Sequence, residues 1–313
     1  DFLWIKNRGN GSYGSNYYDS NRGVGKYFYS DEAYGDDKEQ SNPAGNSSVQ
    51  LFNTNGFRGG SSTNIYEILW TNGLDNTYVA WQWKANGGTT ASNSVGDISS
   101  TVQANTTAGF SIVTYTGNGN ANQTIGHGLG AVPKMILFKN RSNDAYWYVY
   151  HVATGNDTMM YLNLTNAAQS LSSQFSTPTT TTFNVSNENS TFSGYNTNTD
   201  NYVAYVFADV QGYSKFSSYV GNGNANGSFV YTGFKPAFVL IKKYNTAADS
   251  WVILDNKRNS SNVVNGRLFP DLRTAESTST DMVDFLSNGF KLRTSGSAYN
   301  QSGVGYIYMA FAE

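Results

Sequence analysis

Three stretches of the chain align without gaps: DFLWIKNR at Asp1 to Arg8, KMILFKNR at Lys134 to Arg141, and AFVLIKKY at Ala237 to Tyr244. Each holds four consecutive apolar residues followed by a lysine. So short an apolar run, ended by a charge, reads as a strand buried on both faces at its middle. Lys6, Lys139 and Lys242 then fall at equivalent places, where the strand is expected to emerge. A second element closes each unit: YVAWQWK from Tyr78, YVAYVFA from Tyr202 and YIYMAFA from Tyr306. Its large residues alternate. Val79, Trp81 and Trp83 match Val203, Tyr205 and Phe207, and then Ile307, Met309 and Phe311. Period two is a strand with one heavy face.

The last two closing strands are 104 residues apart and Lys139 and Lys242 are 103 apart, so the repeat is domain-sized. Two echoes reinforce it. GNGNAN at Gly117 to Asn122 returns at Gly221 to Asn226, and reads as a hairpin. FNTNGF at Phe52 to Phe57 resembles FLSNGF at Phe285 to Phe290. Asn55-Gly56 and Asn288-Gly289 are pairs that suit a type I′ turn, whose two central residues need positive φ. The middle repeat has no Asn-Gly between Phe183 and Phe192, which predicts a longer loop there.

These signals divide the chain into a first repeat at 1–88, a Thr/Ser/Asn/Gly linker at 89–108, a second repeat at 109–212 and a third at 213–313. The linker, Thr89 to Ala108, has no periodicity and reads as a flexible or extended connector. The first repeat starts at a strand that sits about 25 residues into the second. That predicts a fragment, a cleaved product or the ordered part of something longer. The first repeat must then borrow its opening strands or leave an edge exposed. Units of this size, rich in strand and turn signals, predict an all-β fold of tandem, jelly-roll-like β-sandwiches with little or no helix. Strands apolar on both faces need cover twice. The second sheet of a sandwich gives one cover, and a loop, a neighbouring repeat or another subunit must give the other.

Composition agrees and sets limits. Of 313 residues 15% are aromatic and only 13% charged, about half the usual charged share. Apolar mass therefore resides largely in Tyr, Phe and Trp, which suit pleated faces. A net charge of −2 and no Lys/Arg cluster give no electrostatic footprint for nucleic acid or an anionic membrane. Apolar runs of four to six residues are too short for a membrane-spanning helix. The absence of cysteine removes disulfides and thiolate metal sites.

Chemistry-bearing residues are few. His127 lies in the glycine-rich Ile125 to Gly130, where the spacing is what a tight turn requires. His151 ends the aromatic run from Tyr146 and reads as a strand residue. Two histidines in different contexts, without cysteine, argue against zinc, and no GxSxG elbow supports a serine triad. Gly117 to Asn120 lacks the following helix that a phosphate loop needs. Asp31, Glu32, Asp36, Asp37 and Glu39 are hard-cation ligands by type. Lys38 among them favours a solvated loop over a calcium site. Glycosidase chemistry needs two carboxylates at a fixed separation, and nothing in the sequence pairs them. Tyr17, Tyr18 and Tyr34, among Asn and Asp, suit either stacking on sugar rings or covering a rim. The sequence assigns no catalytic, metal or cofactor-binding residue and no cofactor.

The strings WIKNR, GHGLGAVPKMILFKNR, YSKFSSYVGNGNANGSFVYTGFKPAFVLIKK, DFLSNGFKLRTSG and YIYMAFAE resemble a repeat-domain family of bacteriophage virion proteins. That family recurs in tail-fibre-like and other virion proteins of marine and environmental phages. The resemblance spans essentially the whole chain, and the stretch from Tyr213 to Lys243 carries it most specifically. It implies location on a virion and a structural or binding role in a tail fibre or other appendage. Implied partners are further copies of the chain (a trimer, by the habit of phage fibres), other virion proteins and host-surface glycans. Nucleic acid and membrane insertion are not implied, and neither is any reaction. The alternatives are a cell-surface or secreted carbohydrate-binding adhesin and, more weakly, a polysaccharide depolymerase.

Overall fold

A computed structural model of the chain describes residues 1–36, 49–60, 71–170, 175–186, 195–247 and 249–313. The chain is all-β, built of antiparallel sheets in sandwich-type layers, with one four-residue α-helix among the described residues. The first repeat contributes β1 (Phe2–Asn7), β2 (Ser15–Asp19), β3 (Phe28–Tyr29), β4 (Val49–Asn53), β5 (Gly56–Gly59) and β6 (Tyr78–Trp83). Next come β7 (Ala91–Asn93), β8 (Ser100–Asn105), β9 (Phe110–Thr116), β10 (Gln123–Gly126), β11 (Met135–Asn140) and β12 (Tyr148–His151). A 3-10 turn, η1 (Val152–Thr154), leads to β13 (Thr158–Tyr161), β14 (Gln169–Ser170), β15 (Thr182–Val185) and β16 (Asn201–Phe207). The third repeat holds β17 (Ser214–Val220), β18 (Phe229–Tyr231), β19 (Pro236–Lys243) and β20 (Val252–Asp255). It ends with β21 (Val283–Leu286), β22 (Gly289–Leu292), α1 (Ser297–Asn300) and β23 (Gly305–Ala312).

Each repeat has one main sheet, and the three share a strand order. It runs β9-β16-β11-β12 in the second repeat and β17-β23-β19-β20 in the third. In the first it runs β6-β1-β2-β3. The registers coincide: Trp4 faces Trp81, Leu137 faces Tyr205 and Leu240 faces Met309. Smaller sheets form the second layers: β4-β5, β10-β15 and β18-β22-β21.

The doubly apolar strands explain how the repeats associate. Leu3 and Ile5 of β1 face an outer core of the first repeat, while Phe2 and Trp4 face a central core. The same alternation sends Ile136 and Phe138, and then Val239 and Ile241, into separate outer cores. Met135, Leu137, Phe238 and Leu240 join Phe2 and Trp4 in the central one. Neighbouring repeats thus supply the second cover, and three main sheets wall one shared aromatic core.

Several local expectations change. Lys6, Lys139 and Lys242 do not emerge from their strands; all three are buried. The stretch 89–108, read as a connector, contains β7 and β8, and β8 pairs along its whole length with β9. Thr101, Gln103 and Asn105 alternate there with Val102 and Ala104, a pattern too weak to read without knowing the partner strand. GNGNAN is not a hairpin, because β9 and β10 lie in different sheets, as do β17 and β18. It is an arch between layers. In the Asn-Gly hairpins, Asn53 pairs with Gly56 and Leu286 with Gly289. The two turn residues are therefore Thr54-Asn55 and Ser287-Asn288. Gly289 serves a different purpose: a Cβ there would sit 2.1 Å from the Val230 carbonyl of β18. The loop expected before Phe192 falls at 187–194, outside the described residues.

Candidate functional site

The lysines aligned in the sequence turn out to be joints between repeats. Lys6 Nζ donates to the carbonyls of Tyr13 (3.4 Å) and Leu272 (2.7 Å). Lys139 Nζ donates to those of Ala145 (2.5 Å) and Ala33 (2.6 Å). Lys242 Nζ donates to those of Asp249 and Thr165. In each set the first carbonyl belongs to the lysine's own hairpin and the second to another repeat. First reaches third, second reaches first and third reaches second, so the ring closes.

His151 takes part in a second ring. It ends β12, as Asp19 ends β2 and Asp255 ends β20. Each of these side chains accepts from a backbone amide of the turn that follows, at Ala153, Arg22 and Lys257 respectively. Each also reaches another repeat. Tyr205 Oη donates to Asp19 (2.6 Å), Trp81 Nε1 donates to Asp255 (3.1 Å), and His151 Nε2 donates to the Tyr308 carbonyl (3.2 Å). Burial pushes His151 down to about 4. His127 is also buried, with Nδ1 accepting from the Leu129 amide and Nε2 facing the Thr179 carbonyl, and burial lowers it to about 4. Gly128 and Gly130 beside it have positive φ. Both imidazoles are neutral at neutral pH, with their nitrogens engaged by backbone.

The acidic stretch is paired. Asp36 binds Arg22 (2.8 Å) and Arg141 (3.2 Å), while Asp31 (2.7 Å) and Glu32 bind Arg273. Asp37, Lys38 and Glu39 lie outside the described residues. Tyr17 and Tyr18 are buried in β2, so neither meets solvent; Tyr34 is exposed. Among the described residues no three His, Cys, Asp or Glu side chains converge as a metal site would need.

What the surface offers is the free side of β6. In the second repeat β16 carries β11 on one side and β9 on the other, and in the third β23 lies between β19 and β17. β6 has β1 on one side and no strand on the other among the described residues. The Arg8 amide bonds the Thr77 carbonyl (2.8 Å), and alternation along an antiparallel ladder then turns the backbone groups of Ala80 and Gln82 outward. Two depressions flank this edge. One, of about 450 Å³, is lined by Asp1, Phe52, Asn55, Gln82, Trp83 and Lys84. The other, of about 260 Å³, is an apolar trench among Trp81, Trp83, Tyr213, Phe238 and Phe311. The Asp1 carboxylate is held by the amides of Ala85 (2.8 Å) and Gly87 (3.0 Å). The edge offers amides, carbonyls and aromatic faces, the chemistry of binding.

Sequence reasoning missed Asn196 and Asn300, although their signal was present. Each stands in a Tyr-Asn pair six residues before the first tyrosine of the closing strand. Their side chains staple the Gly-Asn-Gly-Asn arches through Asn118 and Asn120 and through Asn222 and Asn224. No curated protein and no solved structure matches the chain. One family model, described as a domain of unknown function (DUF7483), matches residues 1–313, and the chain belongs to that family.

Proposed function

We propose that the chain is a structural and binding unit of a bacteriophage virion, part of a tail fibre or other appendage. It self-associates there and contacts glycans on the host surface. The observation that carries this reading is the internal use of the chain's polar chemistry. The lysines aligned in the repeats, both histidines and the arginines facing Asp19, Asp31 and Asp36 lock repeats and turns together. That is the investment of a durable building block. The resemblance of the repeat motifs to phage virion proteins supports the particle as its place. Half-buried Phe52 and the exposed amides of Asn55 and Gln82 around the β6 edge suit contact with sugar rings.

Immunogold electron microscopy of particles with an antibody against this chain tests the proposal. Label on tail tips, fibres or capsid is the expected outcome. Label on cells or free filaments, with virions bare, overturns it in favour of a cell-surface adhesin.

A further inference from the structure

We infer that the free edge of β6 is a strand-acceptor site. Its occupant is an extended polypeptide segment from outside residues 1–313, bound antiparallel to β6 and built like β9 and β17. This inference rests on the internal repeat and stands apart from the virion reading.

The two other repeats show what covers the equivalent edges. β9 lies antiparallel on β16 with Phe110 opposite Phe207, Ile112 opposite Tyr205, Val113 opposite Ala204 and Tyr115 opposite Tyr202. β17 lies on β23 with Phe216 opposite Met309 and Tyr219 opposite Tyr306. In both, the tyrosine pair stacks, at 5.1 Å and 15° and at 5.0 Å and 13°. The outer tyrosine hydroxyl donates to the carbonyl of Tyr195 or Tyr299 (2.7 Å each). Mapped through the shared register, the corresponding receiving residues of β6 are Trp83, Trp81, Ala80 and Tyr78.

The space beside β6 matches this occupant. Phe110 of the second repeat packs on Phe207 of its own wall and on Phe2 of the first repeat. Phe216 of the third packs on its own Phe311 and on Phe207 of the second. The two phenylalanines stand two positions apart in the shared register, Phe110 level with Ser214 and Phe216 level with Ile112. An aromatic at either position in the first repeat would lie between Trp83 and Phe311, and both line the apolar trench beside β6.

A second observation fixes how the segment ends. Tyr202 Oη accepts from the Thr197 amide, Tyr306 Oη from that of Gln301, and Tyr78 Oη from that of Gly73. One residue earlier stand Asn196, Asn300 and, in the first repeat, Asn72. Asn196 and Asn300 are completely buried under the Gly-Asn-Gly-Asn arches that follow β9 and β17. Asn72 is exposed, though its Nδ2 donates to the Gly60 carbonyl (3.1 Å) much as Asn300 Nδ2 donates to that of Thr294 (2.7 Å). The staple is in place, and the sequence of residues 1–313 holds no third Gly-Asn-Gly-Asn to arch over it. The occupant therefore carries a large apolar side chain for the trench three residues before a tyrosine that stacks on Tyr78, as Ile112 precedes Tyr115 and Phe216 precedes Tyr219, and then Gly-Asn-Gly-Asn.

The probe is a synthetic peptide of the chain's own 109–122 sequence, GFSIVTYTGNGNAN, titrated into the intact chain. Saturable 1:1 binding is expected, with new amide protection at Ala80 and Gln82 by hydrogen exchange. A peptide with Val113→Pro, which loses the amide facing Ala80, should bind at least tenfold more weakly. Asn72→Ala in the chain should weaken the parent peptide about tenfold, the scale of one or two hydrogen bonds, and lower the melting temperature of the free chain only slightly, because the one hydrogen bond lost there is to the Gly60 carbonyl. No saturable binding at about 1 mM peptide overturns the inference. So does binding indifferent to both substitutions. Protection of Ala80 and Gln82 in a dimer of the chain alone also overturns it, in favour of edge-to-edge pairing between copies.

Discussion

Lysine is rarely buried completely, yet Lys6, Lys139 and Lys242 are, and each binds backbone carbonyls from two repeats. Burial lowers Lys6 and Lys242 to about 8, so both still carry charge at neutral pH. The cation is retained because each Nζ donates to carbonyl oxygens from two repeats, which suits an ammonium with three donors, and around Lys6 and Lys242 the carboxylates of Asp31, Asp249 and Asp271 oppose the effect of burial. The histidines face the opposite problem. Their folded values near 4 lie below the unfolded value of 6.5, so protonation favours the unfolded chain. Above pH 6.5 the effect is absent; it grows as the pH falls and is complete below 4. For His151 the span corresponds to about 3 kcal/mol. Urea unfolding at pH 7, 6, 5 and 4 should show stability falling across this window. His151→Gln, which keeps a donor for the Tyr308 carbonyl, should flatten the fall. In NMR titration neither imidazole should titrate above pH 5.

At the scale of elements, the arches are held from a distance. Asn300 makes hydrogen bonds to Asn222, Asn224 and Thr294, and Gly221 and Gly223 let the chain approach it. A Cβ on Gly221 would meet the Gln301 carbonyl at 2.4 Å, and Gly223 holds φ +68. Asn300→Ala should cost about 2–3 kcal/mol in denaturant unfolding, since it strips partners from buried backbone groups; Asn72→Ala, which loses only the bond to the Gly60 carbonyl, should cost less. The arch also shows what the sequence could and could not reveal. Strands β1, β11 and β19 were legible because burial on both faces leaves an uninterrupted apolar run. β6, β16 and β23 were legible because one heavy face leaves period two. Gly-Asn-Gly-Asn was not, because the same residues suit a hairpin or an arch. The deciding partner lies 78 residues downstream in both copies. Lys139 misled for a related reason: a charge at a strand end ordinarily marks solvent, and here the solvent's place is taken by the carbonyls of another repeat.

For the whole molecule, the shared core sets the unit of folding. Phe2 of the first repeat, Phe110 and Phe207 of the second and Phe311 of the third belong to one aromatic cluster. Each main sheet would expose its inner face if the others were removed. The repeat boundaries visible in the sequence are therefore boundaries of pattern, and the three repeats should not unfold separately. Calorimetry of residues 1–313 should give a single transition whose calorimetric and van't Hoff enthalpies agree. Lys139→Met takes the Nζ donor from the carbonyls of Ala33 and Ala145; Ala33 keeps the Ala145 amide (2.8 Å), so the cost is about 1–3 kcal/mol, set by the Ala145 carbonyl. Because that joint belongs to a closed ring, the substitution should shift the one transition downward and leave it single. Three resolved transitions, or a Lys139→Met chain that melts in two steps, would mean that each sandwich is stable by itself. The central core would then be an interface between finished domains. A chain ending at residue 212 separates the cases again: with Phe207 and Trp83 deprived of Phe311, it should lose cooperative melting and bind hydrophobic dye.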